Sequence, residues 1–251
     1  MSADLNSLLA VGLVFLFAGF VKGIVAIGLP AISISLLSHI IGVREAIFIT
    51  LAPALLTSLA QALLGPSLKV IAVRLWPLLA TGSVCILLAA GFAVRGNTAV
   101  LATIVGCLII IYAAANLLRF KLPHPGKNEP WLTPVIGVIG GTLGGMSGMF
   151  VMPAAPYMQA LGLNREELIQ AIAVWFTVAA LVMMAAVGIR GAYTPNVLAW
   201  TSVAVVTSLI GIWFGTKARG LLPDQLFMRI FFGAFLLLGA FIVFKALSGR
   251  M

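Results

Sequence analysis

The sequence predicts an all-α integral membrane protein of roughly eight to ten helices, arranged in two repeated halves that each contain a short broken or re-entrant helix. Three observations carry this expectation. Of 251 residues, 62% are hydrophobic and only 8% charged, with a mean hydropathy of +1.19. A soluble domain carries about 25% charged residues, so lipid must be this chain's main solvent. Apolar runs of membrane-crossing length recur along the chain, and one ordered series of glycine, proline and Arg-Glu landmarks occurs twice.

The apolar runs fall at about 5–26, 29–42, 46–64, 75–94 and 98–119, then at about 133–149, 152–162, 168–189, 196–216 and 227–247. Crossing a hydrocarbon core takes about 20 apolar residues in a helix, which most of these runs supply. The first run is preceded by MSADLNS, which has Asp4 but no Lys or Arg, and no small-x-small cleavage site follows. It therefore reads as a membrane helix rather than a signal peptide. Between the fifth and sixth runs lies LRFKLPHPGKNEPWLTP (118–134), with four prolines. This divides the chain into a first repeat (1–120), a polar connector (121–132) and a second repeat (133–251).

The landmarks keep their order in both halves. Gly19 and Gly23 precede Gly141 and Gly145 by 122 residues, Pro30 corresponds to Pro153, and Gly42 with Glu45 corresponds to Gly162 with Glu166. Weak internal symmetry of this kind is common in transporters.

The formal net charge is +9. No basic run is interleaved with aromatics, so the sequence excludes a nucleic-acid partner. The basic residues sit mostly between apolar runs, where they set topology and meet lipid headgroups. With ten segments, one side holds Lys69, Arg74, Arg119, Lys121, Lys127, Arg165, Lys217, Arg219 and Arg229; the other holds Arg44, Arg95, Arg190, Lys245 and Arg250. The excess on the first side places the connector in the cytoplasm and both termini outside. Treating a short segment as re-entrant would change that parity. Trp76, Trp131 and Trp200 lie near run ends and read as interface anchors.

Segments 29–42 and 152–162 carry the functional signal. Each is too short to span a bilayer of about 30 Å, follows glycines and begins near a proline. Short Gly/Pro-interrupted segments at matching places in two halves mark a transporter binding site. A helix starting inside the membrane directs unpaired N–H groups, with a positive dipole end, into the protein. Two such ends facing each other would hold an oxyanion. The candidate residues in the first half are Lys22, Gly23, Gly28, Pro30, Ser33 and Thr50, with Ser35 nearby. In the second they are Gly144, Gly145, Ser147, Gly148, Pro153, Gln159 and Gln170.

Each candidate has a plainer reading. Gly140, Gly144 and Gly148, like Gly141 and Gly145, have the small-xxx-small spacing that lets helices pack closely. Lys22 is the one basic residue well inside an apolar run; it either meets a substrate or snorkels to an interface. Thr57, Ser58, Gln61, Trp175 and Thr177 could bond across helices without touching substrate, and Pro53 interrupts the run that contains it. His39 lies near a segment end and His124 in the solvated connector. The acidic residues Asp4, Glu45, Glu129, Glu166, Glu167 and Asp224 fall at or beyond segment ends, Glu45 and Glu166 favouring helix N-termini. Cys85 and Cys107 occupy separate runs and read as packing residues. No metal cluster, cofactor motif or phosphate-binding loop is present in the sequence.

The residues GFVKGIVAIGLP (19–30) with GVREA (42–46), and GGTLGGMSGMFVMP (140–153) with GLNREE (162–167), resemble those of the sulfite exporter TauE/SafE family of membrane permeases. With the two-half layout, the likeness extends over nearly the whole chain. The resemblance implies an all-helical permease that moves sulfite, thiosulfate or organosulfonates, commonly outward. The expected function is export of such an anion by alternating access, in the cell membrane, with the anion and the bilayer as partners and a homodimer as one assembly open to it. The competing classes are a membrane-embedded enzyme, which would need paired acidic, His or Cys residues at a cavity, and an accessory subunit that transports nothing itself.

Overall fold

The computed structural model describes residues 4–25, 28–120, 122–218 and 224–248, and the side chains of all of these except 25 and 224–231. Among the described residues ten α-helices follow one another: α1 (Leu5–Val25), α2 (Leu29–Leu37), α3 (Val43–Leu64), α4 (Leu68–Arg95), α5 (Thr98–Leu117), α6 (Glu129–Ser147), α7 (Ala154–Ala160), α8 (Arg165–Ile189), α9 (Pro195–Ala218) and α10 (Asp224–Leu247). No strand occurs among the described residues. Six of the described helices, α1, α3, α4, α5, α8 and α9, are long and apolar enough to cross a membrane. The chain is an all-α membrane protein. Lys121, Arg219, Arg250 and the side chains of Asp224 and Arg229 lie outside the described residues.

Helix ends follow local chemistry. Asn97 caps α5, its side chain accepting from the amides of Ala99 and Val100. Asn164 caps α8, with Glu167 closing a reciprocal capping box that satisfies two otherwise orphaned donors. Glu45, Glu166 and Glu167 occupy first turns, where the helix dipole favours them. Gly42 and Gly162 both adopt positive φ (97° and 71°) just before α3 and α8, a conformation open to glycine at no steric cost. The helices that start furthest ahead of their apolar runs are α4, which takes in Lys69 and Arg74, and α6, which starts at Glu129 with Pro130 in its first turn. Pro53 is accommodated inside a continuous α3 rather than ending it.

The helices group into two compact units, each drawn from both halves of the sequence. The first comprises Met1–Pro53, Gly96–Phe120 and Tyr193–Met251; in it α1 packs on α9, α5 on α10, and α2 on α1 and α10. The second comprises Ala54–Arg95 and Lys121–Ala192; in it α4 packs on α6 and α8, and α7 on α6 and α8.

One crossing register recurs inside each unit. A Cβ at Gly19 would collide with the Ser208 carbonyl oxygen, and one at Gly23 would lie 2.6 Å from that of Ile212. In the second unit a Cβ at Gly141 would collide with the Gly82 carbonyl, and one at Gly145 would lie 2.9 Å from that of Ile86. Glycine thus lets α1 meet α9, and α6 meet α4, backbone to backbone. At one end of these crossings Trp200 Nε1 donates to Ser7 Oγ at 3.0 Å, and Arg74 Nε donates to Glu129 Oε1 at 2.6 Å. The spacings match again: Ser7 and Glu129 are 122 residues apart, as are Gly19 and Gly141.

The aromatic anchors divide. Trp76 and Trp131 are exposed, as an interface position requires, whereas Trp200 is buried against Ser7. A run-end position in sequence does not distinguish a tryptophan turned to lipid from one turned into a helix crossing.

Candidate functional site

In the first unit α1 ends at Val25 and α2 starts at Leu29, with Gly28 as N-cap at φ 112°. Pro30 stands at the second position of α2, where its missing N–H removes only a donor that the helix would have left orphaned. The nine residues of α2 rise only about 14 Å, less than half a hydrocarbon core. Almost every side chain of α2 is buried. Ser33 and Thr50, both enclosed, bring their hydroxyl oxygens to 3.0 Å, so α2 meets α3 through a polar pair. Ser33 Oγ also donates to the Leu29 carbonyl at 2.8 Å, and Thr50 Oγ1 to that of Ala46 at 2.7 Å. Ser35 bonds back to Ala31. Lys22, on the last turn of α1, is 2% exposed, so protein encloses it.

The second unit holds the corresponding break. Helix α6 ends at Ser147, and Gly148 turns the chain through the left-handed region at φ 70°. Non-helical backbone then runs to Pro153, the N-cap of α7, through a cis Met152–Pro153 peptide. The seven residues of α7 rise about 11 Å. Unpaired backbone at this depth is costly, and the structure shows its partners. Gly148 N–H donates to the Gly144 carbonyl at 2.7 Å, Met149 N–H to Ser147 Oγ at 3.2 Å, and Trp175 Nε1 to the Phe150 carbonyl at 2.7 Å. The Phe150 ring fills the space that a side chain at Gly144 would need.

The remaining candidates serve several ends. Gln170 is buried with its amide in use: Nε2 donates to the Ala62 carbonyl at 2.8 Å, and Oε1 accepts from Ser67 N–H at 2.9 Å, tying α8 to the α3–α4 turn. Gln159 is exposed on α7. Gly23 and Gly145 lie at the helix crossings described above. His39 sits in the turn after α2, its ring edge-on to Phe241 at 5.0 Å, and its two ring nitrogens make no hydrogen bond to the described residues. Tyr157 on α7 meets Thr133 on α6, oxygen to oxygen, at 2.6 Å.

Trp175 is the residue whose position sequence reasoning undervalued. Its one available signal was an indole in the middle of an apolar run, where an N–H donor must find an acceptor. The acceptor is a carbonyl of the broken segment itself.

Among curated proteins and solved structures, none matches the chain. The model of the family described as sulfite exporter TauE/SafE matches residues 11–242, which include both breaks and both crossings. The chain belongs to the sulfite exporter TauE/SafE family of membrane transporters.

Proposed function

We propose that the protein exports a small sulfur-containing anion, such as sulfite, thiosulfate or an organosulfonate, by alternating access about its two broken segments. The observation that carries this reading is the pair of breaks at corresponding places, each turned by a positive-φ glycine, Gly28 in one and Gly148 in the other. The two halves act as repeats joined by a cytoplasmic connector, and the first turn of α2 and the segment 148–153 are the anion-binding elements of the two repeats. Amide donors and helix dipoles hold the negative charge there. The Ser33 and Thr50 hydroxyls turn from backbone carbonyls to the anion, and the enclosed Lys22 supplies charge. In the second unit Gly144, Ser147, Gly148 and Pro153 shape the backbone of the broken segment, with Gln159 and Gln170 as further polar groups of that unit. Gly23 and Gly145 keep the broken helices packed. The family match to a group of exporters supports the direction and the substrate class.

Liposomes containing the purified protein and loaded in turn with sulfite, thiosulfate, sulfoacetate and taurine test this. At least one compound should leave chemically unchanged, faster than from empty liposomes. Equal leakage for every compound, or release of a converted product, would overturn the proposal.

A further inference from the structure

A cleft of about 540 Å³ lies entirely within the second unit, lined by Arg74, Trp76, Pro77, Gly126, Lys127, Glu129, Pro130 and Thr133. That volume falls within the ~300–1,000 Å³ of small-molecule sites. Its polar wall is asymmetric. Arg74 spends Nε and Nη2 on the two Glu129 carboxylate oxygens, at 2.6 and 2.9 Å, and Nη2 also reaches the Leu161 carbonyl at 3.2 Å. Its Nη1 makes no hydrogen bond to the described residues. Lys127 is exposed and makes no ion pair among them. With Glu129 neutralised by Arg74, the lining carries one surplus positive charge.

The depth of the cleft follows from the two helices that form it. Along α4 the last charge before the apolar run is Arg74, and along α6 it is Glu129. Both helices therefore leave the polar layer at this level, and the exposed Trp76 and Trp131 stand where amphipathic rings collect. At the corresponding place in the first unit Trp200 donates to Ser7, and the Ser7 amide donates to the carboxylate of Asp4, so the charge there is negative rather than positive.

We infer that this cleft seats the phosphate headgroup of an anionic phospholipid. Lys127 and Nη1 of Arg74 face the phosphate, Glu129 fixes the guanidinium so that Nη1 points outward, and the Trp76 and Pro77 faces meet the glycerol and upper acyl carbons. An open cleft with cations on its water side and apolar faces on its lipid side suits a lipid better than a free oxyanion, which has no use for the apolar half.

Native mass spectrometry of the full chain, released from detergent with phosphatidylglycerol or phosphatidylcholine added, tests this. One phosphatidylglycerol should be retained in preference to phosphatidylcholine, and Lys127→Ala should weaken it about fivefold, as expected for one basic group near the surface. Lys127 is solvated and unpaired, so this variant leaves folding intact; an unchanged melting temperature in plain detergent verifies that. Equal retention of the two lipids, or retention indifferent to Lys127→Ala, would overturn the inference. So would stabilisation of delipidated protein by inorganic phosphate that Lys127→Ala abolishes, because the seat would then take a free oxyanion.

Discussion

At Gly23 and Gly145 the nearest atoms to a new side chain are main-chain atoms of another helix, which cannot move aside as a side chain could. Leucine at either position should destabilise the protein by about 1–3 kcal/mol through overpacking, lowering the melting temperature and the monodisperse yield. Loss of transport in such variants therefore reports folding and says nothing of an anion site. Lys22 is the better residue to test. It is enclosed, so Lys22→Met keeps most of its volume while removing the charge. The half-saturation concentration should rise about tenfold or more if the ammonium meets the anion, since hydrogen bonds to charged groups contribute about 1.5–3 kcal/mol. An unchanged half-saturation value would remove Lys22 from the anion site. The glycines, prolines and Lys22 could be picked out from the sequence because each is anomalous within an apolar run. The engagement of Gln170 with Ala62 and Ser67 could not, because these partners lie over a hundred residues away.

Within single elements, the broken segment of the second half depends on an indole. Trp175→Phe keeps an aromatic ring but leaves the Phe150 carbonyl without a donor, at a cost of about 1–3 kcal/mol for a buried orphan group. Thermal unfolding should show that loss, while the conformation of α4 and its ion pair stay as they are. At the other end of α6, the hydrogen bonds from Arg74 hold the Glu129 carboxyl below its usual range. A carboxyl depressed in the folded state adds stability that is complete well above the ordinary value of 4.5 and disappears as pH falls through the folded-state value. Both partners are partly exposed, so the contribution is below about 1 kcal/mol. The melting temperature of the parent should fall more than that of Glu129→Gln between about pH 7 and about pH 3.5. Parallel curves would show that the pair contributes nothing. The helix boundaries were largely legible in advance because apolar runs and caps are local signals. The largest departures are at α4 and α6, which start well ahead of their apolar runs because charged residues continue each helix beyond its apolar part.

For the molecule as a whole, the sequence order of the two halves is evident from repeated landmarks, but the compact units cut across that order. Helix α1 pairs with α9, and α6 with α4, through glycines whose partners cannot be read from spacing alone. Tertiary packing decides them. The orientation proposed from the basic residues has its own test. With Cys85 and Cys107 replaced by alanine, Lys127→Cys should react with a membrane-impermeant maleimide in inside-out vesicles and stay unlabelled in right-side-out ones. The opposite pattern would reverse the topology and place the connector outside.

The anion site is tested most directly by equilibrium titration of the detergent-purified protein with sulfite, thiosulfate, sulfate, sulfoacetate and taurine, alongside Ser33→Ala. One sulfur anion should bind the parent saturably, and the variant should bind it about thirtyfold more weakly, the equivalent of about 2 kcal/mol for a hydrogen bond to a charged group. Saturable binding that Ser33→Ala leaves untouched, or no binding of any of the five, would contradict an anion site built on the broken helices.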